Sequence, residues 1–550
     1  MTCRGLGWTI CADRLRTRYS GENGVLHREW GAQGAELAGQ AADSCEVWNW
    51  ASSPFEWLRG AWHAPVRRRQ AREQRGRWLE SAAMSSYSHW IARLAGWILA
   101  TSLHASPAWS LPGQEAATSD GSVRPVRSEW IDPKRTPSFD LDGEAVERKQ
   151  GGNPRTQGGL LVFDGATDGN RQVDPQVAVG GGRVLTATNT GFILYDKEGN
   201  YLRGVKQDVF RGGIDPKLFF DPVNRVFGFD LWVYWDDEKR KPVQITMSET
   251  EDPHGAWNTY SVPAPGGVDG GAIGCSRAWV GYSFPGGPER TFVMRSAALR
   301  KGERAQVWHF PGSLGHPVLG QDEEDALYFL QVTDTHFTVR RVLEQGGAPV
   351  AELVGSTPHG LRSIGFPPPS PQKGTDQLTA SGDRNPKNVV LQSGFLWFSQ
   401  TVRHQGRAAV QWHQIRLDGS IVQSGLLASP DSSYIQTSLA VNRQQDVLIG
   451  FQETSSEMFI SPRCAWRLGT DAPGTMRGIV SLGEGKGATS GRSWGDYSGS
   501  SMDGDDGLTL WTVQSITSAE GRGHTVVARV PFEARALGSS AQSDEAVEKQ

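Results

Sequence analysis

A chain of 550 residues with a formal net charge of −4 and 37% hydrophobic residues can fold into several hundred residues of ordinary globular protein. That balance excludes the basic footprint of a nucleic-acid binder and wholesale disorder alike. The 67 glycines and 30 prolines indicate many turns, as an all-β protein requires.

Residues 1–83 differ in composition from the rest of the chain. They hold a dense arginine run (Arg67 to Arg69, Arg72, Arg75, Arg77), seven of the 21 tryptophans, three of the five cysteines and no lysine. A basic nucleic-acid or membrane-binding arm is one reading. The preferred one is an over-extended start, with the functional protein beginning at Met84. From Met84 the chain has a short polar region with His89 and Arg93, an apolar run from Leu94 to Leu103, and then Ala108-Trp109-Ser110. That is the order of a secretory signal peptide over 84–110, and the apolar run falls short of the roughly 20 residues a bilayer span needs. The expectation is a secreted, periplasmic or cell-surface protein with no membrane span in its mature form.

Residues 111–158, rich in Gly, Pro, Ser, Glu and Arg, are expected to be a flexible linker. Gly159 to Asp164 reads as a strand that closes the last repeat of the adjoining domain from its N-terminal side. The domain itself is 159–532, and 533–550 is expected to be a disordered tail.

Within that domain one arrangement recurs: a polar opening residue, an apolar stretch, a turn rich in Gly, Asn or Asp, and a second apolar run. Seven copies open at Asp174, Asp215, Asp269, His316, Asn385, Gln436 and Asp496, with steps of 41, 54, 47, 69, 51 and 60 residues. Such steps suit four-stranded propeller blades of roughly 40–50 residues. Further strands are expected at Phe192 to Tyr195, Gln244 to Met247, Thr291 to Met294 and Ala409 to Trp412. The fold class is therefore all-β, a single β-propeller of seven four-stranded blades, with six as the alternative count. A β-sandwich with a second β domain is the competing architecture. Phe366 to Gly374 is expected to project as a loop. Cys275 and Cys464 fall in copies that are not ring neighbours, so no disulfide is expected.

Chemistry is less legible. No CxxC, HExxH, P-loop or flanked GxSxG pattern occurs. Trp494, Asp496 and Tyr497 stand together at the seventh opening. They are either a sugar-stacking platform with a hydroxyl acceptor or a packed strand entrance. Asp383 and Arg384 precede the fifth opening and are candidate ligand contacts, with Arg211, Arg277 and Arg492 as weaker arginines. Asp503, Asp505 and Asp506 are either calcium ligands or a solvated turn. His316 reads as an ordinary substitution at its opening.

The phrases DPQVAVG, FDPVNRVFGF, SLAVNRQQDVLIGF and WGDYSGSSMDGDDGLTLWTV resemble those of exported bacterial β-propeller proteins of the sialidase-like (BNR/Asp-box) type, uncharacterised members among them. The likeness covers about residues 160–530. Against the Asp-box pattern Ser-x-Asp-x-Gly-x-Thr-Trp, Asp505, Gly507 and Thr509 keep the spacing, Asp503 replaces the serine and Trp511 lies one residue late. This turn is placed between the first two strands of its blade, whereas an Asp-box joins the last two. The resemblance implies a propeller. It also implies, as one possibility, a sialidase-like hydrolase or lyase with three arginines on a carboxylate, an Asp acid/base and a Tyr activated by a Glu. That arginine triad cannot be assembled here. The favoured expectation is a non-catalytic binding or scaffold module for an extracellular glycan or protein, without cofactor unless the Asp503 turn holds calcium.

Overall fold

The computed structural model describes residues 122–136, 151–166, 173–206, 213–232, 242–264, 270–284, 288–361, 365–490 and 494–535. The segments expected to be an over-extended start and a signal peptide, and Asp269, Arg211 and Arg492, lie outside these. The described chain is nearly all strand, with one short helix, Ser296–Lys301, among the described residues.

Pairing assembles the strands into seven antiparallel units, here I to VII. Their first strands are Gln176–Gly180, Ile214–Asp221, Ala272–Cys275, His316–Pro317, Lys387–Gln392, Ser433–Val441 and Gly499–Met502. All four extra strands expected from the sequence are present, as the third strands of units I, II, III and V. Unit VII is completed by Leu160–Asp164, which pairs antiparallel with Gly523–Val530, as the apolar GLLVFD stretch leads one to expect.

The first strands do not alternate apolar and polar, and the packing explains why. Successive side chains of a strand point to opposite faces. In Gln176–Gly180, Val177 and Val179 enter a core shared with unit VII through Trp511 and Val513. Ala178 enters another core, shared with unit II through Leu218 and Phe229. Similar cores join II to III, III to IV, IV to V, V to VI and VI to VII. Every unit thus buries both faces against its neighbours, and the succession of interfaces returns to its start. This is an all-β propeller.

Two expectations need revision. Within 111–158, Arg127–Ile131 pairs with Ala305–Phe310 of unit III, and Lys134–Thr136 pairs with Trp257–Pro263 of unit II. Val123 bridges to Ala351 of unit IV, and Gly152–Gln157 lies beside Leu160–Asp164. These segments are held by backbone pairing and polar contacts such as Arg127 to Glu289 at 2.6 Å, so hydrophobicity does not reveal them. They cover sheet edges that would otherwise be open. Phe366 to Gly374 is not a free loop either. Ser370–Gln372 pairs with Thr375–Thr379, and Gln372 donates to the Thr489 carbonyl. Cys275 and Cys464 are both free and buried, in units III and VI. No described helix is long and apolar enough to cross a membrane.

Candidate functional site

The first strands run in the same sense, as the parallel pairings of Cys275 with Leu319 and of Leu319 with Val390 show. Their beginnings therefore gather at one end of the ring, and the repeat's opening residues with them. That end is shaped by an irregular backbone. Asp215, Asn388 and Gln436 have φ of 57°, 51° and 49°, a left-handed conformation uncommon outside glycine. Each sits where the first strand carries one residue more than its partner, a β-bulge. Asp174, with φ 47°, makes the same step, since the Asn189 amide bonds beyond it to the Val173 carbonyl. Bulges re-aim side chains and collect next to binding sites.

Polar contacts then tie the openings together. Asp174 accepts from the Asn189 side chain and from the Asp496 amide, both at 2.6 Å, and the Asn189 side-chain oxygen Oδ1 accepts from the Asp215 amide at 2.7 Å. Gly495, at φ 134°, lets this backbone pass close to the Asp174 carboxylate, where a Cβ would lie 2.8 Å from the oxygen. Tyr497 reaches past unit I and donates to the Pro216 carbonyl at 3.0 Å. The Lys217 ammonium lies 3.2 Å from the centroid of the Tyr497 ring. Behind it, the Asp230 carboxylate accepts from the Lys217 amide at 3.2 Å.

Burial dominates the protonation of these groups. It raises Asp174 to about 7, reinforced by the Asp496 charge, and it raises Asp230 to about 7 against the pull of Lys217. It lowers Lys217, and it pushes Tyr497 well above the usual phenol range with help from Asp215 and Asp174. His316 is lowered to about 4 by burial. Its Nδ1 lies 2.8 Å from the Pro317 carbonyl, which can only accept, so Nδ1 carries the proton and Nε2 is an acceptor.

Two cavities open among these residues. The inner one, of about 40 Å³, is bordered by Gln176, Phe219, Asn388 and Tyr497. The outer one, of about 260 Å³, is bordered by Ser283, Arg290, Ser313, Gln331 and Asn385. Lys217, Ala272, His316 and Lys387 border both, so the two adjoin.

The sequence candidates are distributed unevenly about it. Tyr497 is in the wall, but only 4% exposed and held through its hydroxyl. Asp496 is exposed beside it. Trp494 is fully enclosed with Ala408, Ile435 and Ile460, so its ring offers no platform for a sugar. Asp383 caps the Asn385 amide at 2.8 Å and pairs with Lys387 at 3.2 Å. Arg384 pairs with Asp334 and stacks on Phe366, 4.7 Å from its centroid. Arg277 pairs with Asp325 at 2.7 Å, away from the cavity.

Asp503, Asp505 and Asp506 do not face a common point. Asp503 and Asp505 both accept from Lys197, Asp505 also accepts from Gly181, Gly182 and Arg225, and Asp506 accepts from the Leu508 and Thr509 amides. Their oxygens are engaged by N–H donors, and among the described residues no three His, Cys, Asp or Glu side chains converge as a metal site. The turn does join the first two strands of unit VII, where the sequence placed it.

Sequence reasoning missed Lys217, Lys387, Arg290 and Asp230, and it undervalued His316. A signal for the lysines was present. Asp174-Pro175-Gln176, Asp215-Pro216-Lys217 and Asn385-Pro386-Lys387 share an X-Pro-X form, and in each the third residue borders the cavity.

No family model matches this chain, and no curated protein does. Among solved structures it is similar to TolB from Acinetobacter baumannii (11% identity, 65% of this chain, 80% of that one, TM-score 0.27). It is similar to YjhT (10% identity, 66% and 95%, TM-score 0.32). It is also similar to a mutant Trypanosoma rangeli sialidase displaying trans-sialidase activity (12% identity, 62% and 57%, TM-score 0.28). The likeness is one of propeller fold alone, and the sialidase-like type in particular is not supported.

Proposed function

We propose that this chain is an exported, seven-bladed propeller that acts as a non-catalytic binding module, with the mouth of its channel as the ligand site. The observation that carries this reading is the cavity bordered by Lys217, His316 and Lys387, polar side chains from three different units. Pockets in which a few polar groups converge from separate elements are the usual form of a small-ligand site. Export rests on the signal-peptide pattern at 84–110, and a glycan is one ligand class compatible with a mouth of this size and polarity.

Catalysis of the sialidase kind finds little support in the wall. Tyr497 is buried, its phenol is pushed up, and its hydroxyl is committed to Pro216. Among the described residues Arg290 is the one arginine bordering the cavity. One observation favours the second reading, a glycoside hydrolase: Asp174, raised to about 7, bonds to the amide of Asp496, and unlike carboxylates can divide acid and base roles. The test is a binding screen against glycans together with a panel of fluorogenic glycosides, using the purified protein. Saturable binding without turnover supports the binding module. Turnover that disappears in Asp174→Asn establishes the hydrolase instead.

A further inference from the structure

We infer that the ligand of this mouth is a small oxyanion, a carboxylate or phosphate bearing hydroxyl groups, whose charged end is received by Lys217, Lys387 and Arg290. The inference rests on the mouth being the binding site. The outer cavity is bordered by three cationic side chains, from units II, V and III, and by no Asp or Glu among the described residues. Burial lowers the proton affinity of Lys217 and Lys387 adds to that, while Asp230, Asp215 and Asp174 oppose it; burial and both lysines lower that of His316. Like charges gathered in one partly enclosed space repel, and a bound anion removes that cost.

Lys217 states the requirement most clearly. Among the described residues no carboxylate lies within ion-pair distance of its ammonium, whose contact is the face of Tyr497. Asp230 stands nearby, but it accepts from the Lys217 amide, and burial pushes it toward its neutral form. Asp215 and Asp174 add attraction to Lys217 from further away, and Lys387 is paired with Asp383. A half-buried cation with incomplete compensation is costly, and an oxyanion supplies charge and hydrogen-bond acceptors together. A neutral sugar would leave that deficit in place. Hydroxyl groups on the ligand suit the other wall, because His316 Nε2 accepts but cannot donate near neutral pH.

The experiment is equilibrium binding of glucuronate, inorganic phosphate and glucose to the purified protein, Lys217→Met, Lys387→Gln and the outer-surface control Arg277→Gln. Circular dichroism would report folding. Glucuronate or phosphate should bind, at least about tenfold more weakly in each lysine variant and in about 0.5 M salt, and unchanged in Arg277→Gln. Which of the two binds more tightly separates a carboxylate from a phosphate source. Should Lys217→Met fail to fold, Lys387→Gln and Arg290→Gln carry the test. Glucose binding as tightly as glucuronate, or lysine variants without effect, would overturn the oxyanion and leave the binding module standing. Absence of binding by these probes and by a glycan panel would remove both.

Discussion

The two ends of the propeller's first strands use the same residue types to opposite effect. At the far end, Asp505 accepts two backbone amides of unit I's hairpin, Gly181 at 3.0 Å and Gly182 at 2.8 Å, besides Lys197 and Arg225 at 2.7 Å each. Burial alone would raise its pKa, but these donors outweigh that and hold it well below the usual carboxylate range. At the mouth, Asp174 has only neutral donors and a neighbouring carboxylate, and it is raised to about 7. A matched carboxylate fastens units VII, I and II together. Asp174 lacks such matching and is held toward its neutral form. Charge clustering in a sequence does not separate the two cases, because the partners come from other units.

The largest effect expected is on Trp494, which lies beside the mouth but belongs to packing. Trp494→Ala should cost about 3–5 kcal/mol of stability, read from denaturant midpoints. A stable variant that had instead lost ligand binding would move this residue from the core into the site. Next comes the far end. Asp505→Ala leaves two hairpin amides without their acceptor and removes one of the acceptors of Lys197, which keeps Asp503, and of Arg225, which keeps Glu251, and about 1–3 kcal/mol of destabilisation is expected. Ligand binding should persist in the fraction that remains folded. Equal sensitivity of both ends to ligand would erase the distinction drawn between them.

Protonation sharpens it further. Asp505 has a folded pKa below its ordinary value, so its contribution is present above about pH 4 and is lost as pH falls toward the folded value. Asp174 has the opposite sign. Its folded pKa of about 7 exceeds the ordinary 3.8, so its contribution is complete below about pH 4 and is lost as pH rises through 7. His316 and His413, lowered to about 4 and about 3, tilt the total profile the other way below about pH 6.5. The difference between wild type and Asp174→Asn is therefore the quantity to measure. The variant should lose less stability between pH 5 and pH 8, by on the order of 1 kcal/mol. Parallel profiles would mean that Asp174 ionises normally.

How much of the molecule is legible in the chain depends on which forces act locally. The repeat was legible because each unit needs apolar strands and a turn, as in Asp215 to Phe229, and Leu160 to Asp164 was visible as a closing strand because it is apolar. Arg127–Ile131 was not, since it is held by backbone pairing and by ions such as Arg127 with Glu289. Asp496 and Tyr497 were found at the mouth because they open a copy. Lys217 and Lys387 stand two positions after their openings, and their importance depends on units II and V meeting across the channel, which no local pattern encodes.

Arg384 borders neither cavity, and the smallest effect is expected there. Its guanidinium is paired with Asp334, whose side chain is 72% exposed, and it rests on Phe366, itself 62% exposed. Water competes for both partners, and exposed ion pairs contribute about 0–1 kcal/mol. Its backbone carbonyl, which accepts from the Gln400 side chain at 2.6 Å, survives truncation of the side chain. Arg384→Ala should therefore change stability by less than about 1 kcal/mol and glucuronate affinity by less than about twofold. A tenfold loss of affinity with unchanged stability would extend the anion site from the channel wall to the rim, and would make Arg384 a ligand contact in place of a surface ion pair.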